Sequence, residues 1–99
     1  MLNINKTLND SELTVALEGR LDTTTASELE AELKPALEGV TSLIIDCEKL
    51  EYISSAGLRV LLSTLKLMNA RGAMKLIRVN DIVNEVFEVT GFSSILTIE

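Results

Sequence analysis

The sequence predicts an α/β domain: a mixed, mostly parallel sheet of four to five strands covered by helices, in the order β-β-α-β-α-β-α-β. Three observations lead there. Apolar and polar residues alternate in two N-terminal segments, the period of a half-buried strand. Leu43-Ile44-Ile45 is a continuous apolar run, short enough for a strand buried on both faces and so central. Apolar residues then recur at helical spacing between the later strand-like runs, the alternation that produces a parallel sheet.

Taken in order, Leu2 to Thr7 alternates and reads as a short strand, and Asn9-Asp10-Ser11 is a turn cluster. Leu13, Val15 and Leu17 alternate with Thr14, Ala16 and Glu18, so the first two strands form an antiparallel hairpin. Gly19 is expected to end the second strand, leaving Glu18-Gly19-Arg20-Leu21-Asp22 as a loop. Thr25-Ala26-Ser27-Glu28 has the capping-box pattern, with a helix expected over 24–37 on Ala26, Leu29, Leu33 and Leu37. Pro35 should weaken its last turn, and Gly39 closes it. The central strand runs from Ser42 to Cys47, and a loop from Glu48 to Ile53 leads to Ser54 and Ser55.

The next helix starts at those serines and turns Leu58, Leu61, Leu62, Leu65 and Met68 inward, with Gly72 as a left-handed stop. Met74 to Val79 is a further strand. Asn80 or Asp81 caps a short helix with Ile82, Val83, Val86 and Phe87 inward. Gly91 ends that helix, and Ile95 to Ile98 is the last strand.

Composition excludes several function classes. The 99 residues carry a net charge of −6, one tyrosine, two phenylalanines and no tryptophan, against the basic face and stacking rings that nucleic acid requires. An acidic domain suits a basic protein surface. There is no histidine, hence no Ser-His-Asp triad and no histidine metal ligand. The single Cys47, at the end of an apolar run, reads as a buried structural thiol. Asp46, Glu48 and Glu51 lack the spacing and the glycine of an EF-hand. No phosphate loop, dinucleotide fingerprint or nucleophile elbow is present, so neither a metal nor a cofactor is expected. Neither an N-terminal signal nor a run of about 20 apolar residues appears, so a cytoplasmic chain without membrane insertion is expected.

Ser54 and Ser55 carry two readings. A serine at a helix start is a natural cap. The same position, with free N–H groups and the positive end of the helix dipole, also suits a phosphate.

The stretch Leu43-Ile44-Ile45-Asp46, continued by Leu50-Glu51-Tyr52-Ile53-Ser54-Ser55-Ala56-Gly57-Leu58-Arg59-Val60-Leu61-Leu62, resembles the signature of STAS domains, the anti-sigma factor antagonists. Leu17-Glu18-Gly19-Arg20-Leu21-Asp22 and Val86-Phe87-Glu88-Val89-Thr90-Gly91-Phe92 extend the likeness over nearly the whole chain, read as one STAS domain over 1–99. The resemblance implies a non-enzymatic regulator that works by partner switching. The unmodified protein binds an anti-sigma factor that is also a serine kinase. Phosphorylation releases it, and a serine phosphatase resets it.

The family's phosphoserine lies two residues before the glycine, which counts back from Gly57 to Ser55. Ser54 stands where the family often has Asp and is the second candidate. Asp22, Thr23, Ser54, Ser55, Ala56, Gly57 and Arg59 are the expected partner-binding residues, on a chain that is a monomer when free. Many members carry a further C-terminal helix, and the sequence runs only to Glu99, so contacts made by such a helix are expected to be absent. The alternative function within the family is a constitutive cytoplasmic subunit of a transporter complex.

Overall fold

A computed structural model describes residues 2–99. Strands β1 (Leu2–Asn9) and β2 (Glu12–Leu21) form the hairpin, joined through Asp10 and Ser11 with Asp10 at φ 57°. Asp tolerates that left-handed conformation better than most residues. Helix α1 (Thr23–Ala36), strand β3 (Ser42–Ile53), helix α2 (Ser55–Asn69), strand β4 (Ala73–Ile77) and helix α3 (Asp81–Thr90) follow. The sheet order is β1-β2-β3-β4, antiparallel in the hairpin and parallel from β2 onward.

The expected last strand is shorter than the sequence suggests. Phe92–Ser94 is a 3-10 turn, and the pairing that follows is a single parallel bridge, Leu76 to Ile98. Its two hydrogen bonds, Leu76 N–H to Thr97 O and Glu99 N–H to Leu76 O, are both 2.9 Å.

Helices α1 and α2 lie side by side against the sheet. Leu29, Leu33, Leu61, Met68 and Phe87 are all but fully buried, together with Leu17, Leu21, Leu43, Ile45 and Leu50 from the strands. Cys47 belongs to this core, and burial, with the charge of Asp46 adding to it, pushes its thiol up to about 12. A thiol of that kind is inert.

Two expected loops are strand. β3 continues through Glu48 to Ile53, and β2 continues past Gly19 to Leu21. The register between them slips at Ala16/Glu18 and again at Gly19/Arg20, each time with an additional residue on β3. A bulge replaces the period of two by three at that point. Cys47, Leu50 and Ile53 are therefore the buried residues, spaced by three, and the alternation that marks a strand is lost.

Asp46 lies where the first bulge begins. Its carboxylate accepts the Glu48 N–H at 3.0 Å and pairs with the Arg78 guanidinium. Arg78 follows β4 in the left-handed region, φ 55°, a conformation that costs an ordinary residue about 1–2 kcal/mol. Burial of Asp46 favours its neutral form, but the bonds from Arg78 and Glu48 outweigh it and hold the carboxyl below the usual carboxylate range. A depressed carboxyl contributes stability above its unfolded value and loses it as pH falls through the folded one. Asp46→Asn should therefore cost about 1 kcal/mol at pH 7, a modest figure because Arg78 is solvent-screened. In urea melts the gap from wild type should close below about pH 4.

Other details depart from the sequence reading. Gly72 is not left-handed; it is glycine because a Cβ there would collide with the Thr41 carbonyl. On α3, Ile82 points to solvent rather than inward. Asn80, not Asp81, caps α3, taking the Val83 N–H at 2.9 Å while its amide donates to Leu50 O at 2.6 Å. This side chain thus ties α3 to the part of β3 that extends beyond β4.

Candidate functional site

Leu21 and Ile53 are register partners at the ends of β2 and β3. The residues that follow them, Asp22 and Ser54, cap α1 and α2, so both helix starts open on one edge of the sheet. The Ser54 N–H donates to Leu21 O at 2.9 Å and joins the two starts.

The α1 cap is Asp22, not the expected box at Thr25 to Glu28. Its carboxylate accepts the N–H groups of Thr24 and Thr25, each at 3.0 Å. Thr25 completes the box, its hydroxyl accepting the Asp22 N–H at 2.8 Å and lying 2.7 Å from Arg20 O. The Thr25 N–H holds the Asp22 carboxyl below its ordinary range, against some desolvation, with the Thr25 hydroxyl and Thr24 N–H assisting. Asp22 is therefore a fixed negative charge at neutral pH.

The two serines divide the two readings between them. Ser54 is the cap, its hydroxyl accepting the Gly57 N–H at 3.3 Å. Ser55 is the first helical residue and is exposed, and among the described residues none hydrogen-bonds its hydroxyl. Ser54→Ala should lower stability by about 0.5–2 kcal/mol, while Ser55→Ala should leave the denaturation midpoint nearly unchanged.

Thr23, Ala56 and Arg59 line one shallow groove between α1 and α2, together with Ser27 and Ser63. Arg59 is exposed one turn beyond Ser55 on α2. Gly57 is different: it is buried, and a Cβ would lie 2.7 Å from Leu21 Cγ and 2.9 Å from Ile53 Cγ1. It lets α2 start close against the strand ends and offers little surface to a partner.

Asp46 lies away from the serines. It lies seven residues back from Ile53, roughly 20 Å along the strand, and is engaged by Arg78. Among the described residues no group of three or more His, Cys, Asp or Glu could hold a metal ion, and no helix is long and apolar enough to cross a membrane.

The sequence reading missed the stacking of Arg20 on Tyr52, 4.3 Å from guanidinium to ring centroid. The two residues are register partners, and with the segments read as loops nothing in the spacing brought them together.

The STAS domain family model matches residues 3–99. BtrV of Bordetella bronchiseptica, named as an anti-sigma factor antagonist, is 40% identical over 91 residues, covering 90% of this chain and 78% of BtrV. The anti-sigma-B factor antagonist of Staphylococcus aureus is 32% identical over 97 residues, covering 96% of this chain and 90% of that protein. Among solved structures, the anti-sigma factor antagonist SpoIIAA superimposes in its unphosphorylated form with a TM-score of 0.83 at 20% identity, over 100% of this chain and 88% of SpoIIAA. The phosphorylated form of the Bacillus SpoIIAA gives 0.75 at 20% identity, over 100% of this chain and 91% of that one.

Proposed function

The chain belongs to the STAS family of anti-sigma factor antagonists, and from that premise we propose that it is a partner switch controlled by phosphorylation of Ser55. Unmodified, it binds an anti-sigma factor that is also a serine kinase, through Asp22, Thr23, Ser54, Ser55, Ala56 and Arg59. Phosphorylated, it releases that partner, and a serine phosphatase restores it. It acts in the cytoplasm as a single non-enzymatic domain over 1–99, monomeric when free.

The observation that carries this reading is the division of labour at the start of α2. Ser54 is engaged as the cap, and the Ser55 hydroxyl is exposed beside it. A kinase needs a hydroxyl it can reach and turn. A modification that leaves the cap in place leaves the helix in place.

The electrostatics favour the same residue. A phosphate adds roughly −1.5 to −2 charges at neutral pH. At the first turn of α2 the helix dipole stabilises that charge, so the domain stays folded. A partner seated over the edge would have to desolvate the phosphate beside the ionised Asp22, which opposes docking.

Intact mass of the protein purified from its own cells is the test. A form heavier by one phosphate, mapped to Ser55, supports the switch. An unmodified protein that co-purifies with a membrane transporter would contradict it in favour of a constitutive subunit.

A further inference from the structure

Helix α3 leaves an apolar stripe in solvent. Ile82 is 66% exposed and Val89 81%, while Val83 and Phe87 are fully buried. Ile82, Val86 and Val89 follow the spacing that places residues on one helical face. They line a shallow groove together with Tyr52, Glu85 and Thr90.

The groove comes near the serine edge along β3. Tyr52 stands two residues before Ser54, ~7 Å of strand, and Arg20 covers its ring. Glu85 lines the groove, and the exposed carboxylates Glu51, Asp81 and Glu88 are chain neighbours of its lining residues Tyr52, Ile82 and Val89, against the one cation Arg20 stacked on Tyr52. An apolar strip with an acidic rim is complementary to an apolar segment flanked by basic residues. Size points the same way. A stable interface takes about 800 Å² from each partner, or about 20–30 residues, far more than the few around Ser55 provide.

We propose that the α3–Tyr52 groove is a second contact area for the partner that engages the Ser55 edge, and that it receives an apolar segment of that partner flanked by Lys or Arg. This rests on Ser55 facing a partner. The groove contributes affinity, and the serine controls it. Because Tyr52 stands only ~7 Å of strand from Ser54, one docked surface can span both.

The test is isothermal titration of the purified serine kinase that phosphorylates this chain. The titrants are wild type, the double variant Ile82→Ser/Val89→Ser, Glu85→Lys, Ser55→Asp, and Leu8→Ser as a control. Leu8 is 62% exposed on β1. Circular dichroism should show every variant folded, since the altered side chains are exposed. The double variant should bind at least tenfold more weakly and Glu85→Lys severalfold more weakly, with Leu8→Ser within twofold of wild type. If the double variant binds within twofold of wild type while Ser55→Asp fails to bind, the groove is not a contact and the serine reading stands. If wild type itself does not bind, both readings fall. If sedimentation shows a wild-type dimer that the double variant abolishes, the occupant is a second copy and the proposal is overturned.

Discussion

Ser55→Asp is expected to weaken binding of the anti-sigma kinase at least tenfold while α2 stays folded. The two effects separate because they have different physical origins. An acid in the first turn of a helix is favourable, by about 0.3–1 kcal/mol at an exposed site. Ser54 still supplies the cap, so no hydrogen bond of the fold is lost. Binding is another matter. The added carboxylate must be stripped of water when the partner closes over it, next to the ionised Asp22. A tenfold loss of affinity takes only about 1.4 kcal/mol, well within the reach of one uncompensated charge. Ser55→Ala adds no charge and should bind like wild type. Calorimetric titration with an unchanged far-UV spectrum would bear this out. Undiminished affinity of Ser55→Asp would place Ser55 outside the interface.

Phe87→Ala should have the largest effect on stability, about 3–5 kcal/mol. Phe87 is wholly buried and is the largest of the enclosed side chains. With Val83 it makes up the buried residues of α3. The Asn80 amide also ties this segment to β3, but one hydrogen bond is too weak to replace a ring. For a domain of this size each kcal/mol moves Tm by roughly 4–8 °C, so thermal unfolding should drop by more than ~10 °C. The groove on the outer face of α3 would loosen with it, and partner affinity should fall together with Tm. A Tm within a few degrees of wild type would mean that α3 is held by something other than its buried face.

Sequence periodicity is a reliable guide here where strands are regular and helices are amphipathic. The hairpin, the central run at Leu43 to Ile45 and the starts of all three helices are legible in that way. The segments that bring the site together are not. The bulges between β2 and β3 break the alternation just before Leu21 and Ile53, so both strand ends look like loops. That Asp22 and Ser54 meet at one edge follows from both segments leading into helices, but the register partnership of Leu21 and Ile53 that sets them there is not visible in the alternation.

Capping was harder to place than helix position. Thr25-Ala26-Ser27-Glu28 fits the box pattern, but Asp22 pairs with Thr25 one turn earlier. At α2 two adjacent serines fit the same role, and only geometry shows that Ser54 holds the amide and Ser55 does not. Gly57 was legible as a special position for the wrong reason. Its lack of a Cβ serves packing against Leu21 and Ile53, not a partner. The pairing of Asp46 with Arg78, 32 residues later, has no signal in the sequence.

The claim that Ser55 is the switch is tested most directly by incubating wild type, Ser54→Ala and Ser55→Ala with the cognate kinase and ATP, then measuring intact mass. Wild type and Ser54→Ala should each gain one phosphate, and Ser55→Ala should gain none. Full phosphorylation of Ser55→Ala, with none on Ser54→Ala, would put the acceptor one residue earlier and contradict the assignment of Ser54 to the cap and Ser55 to the switch.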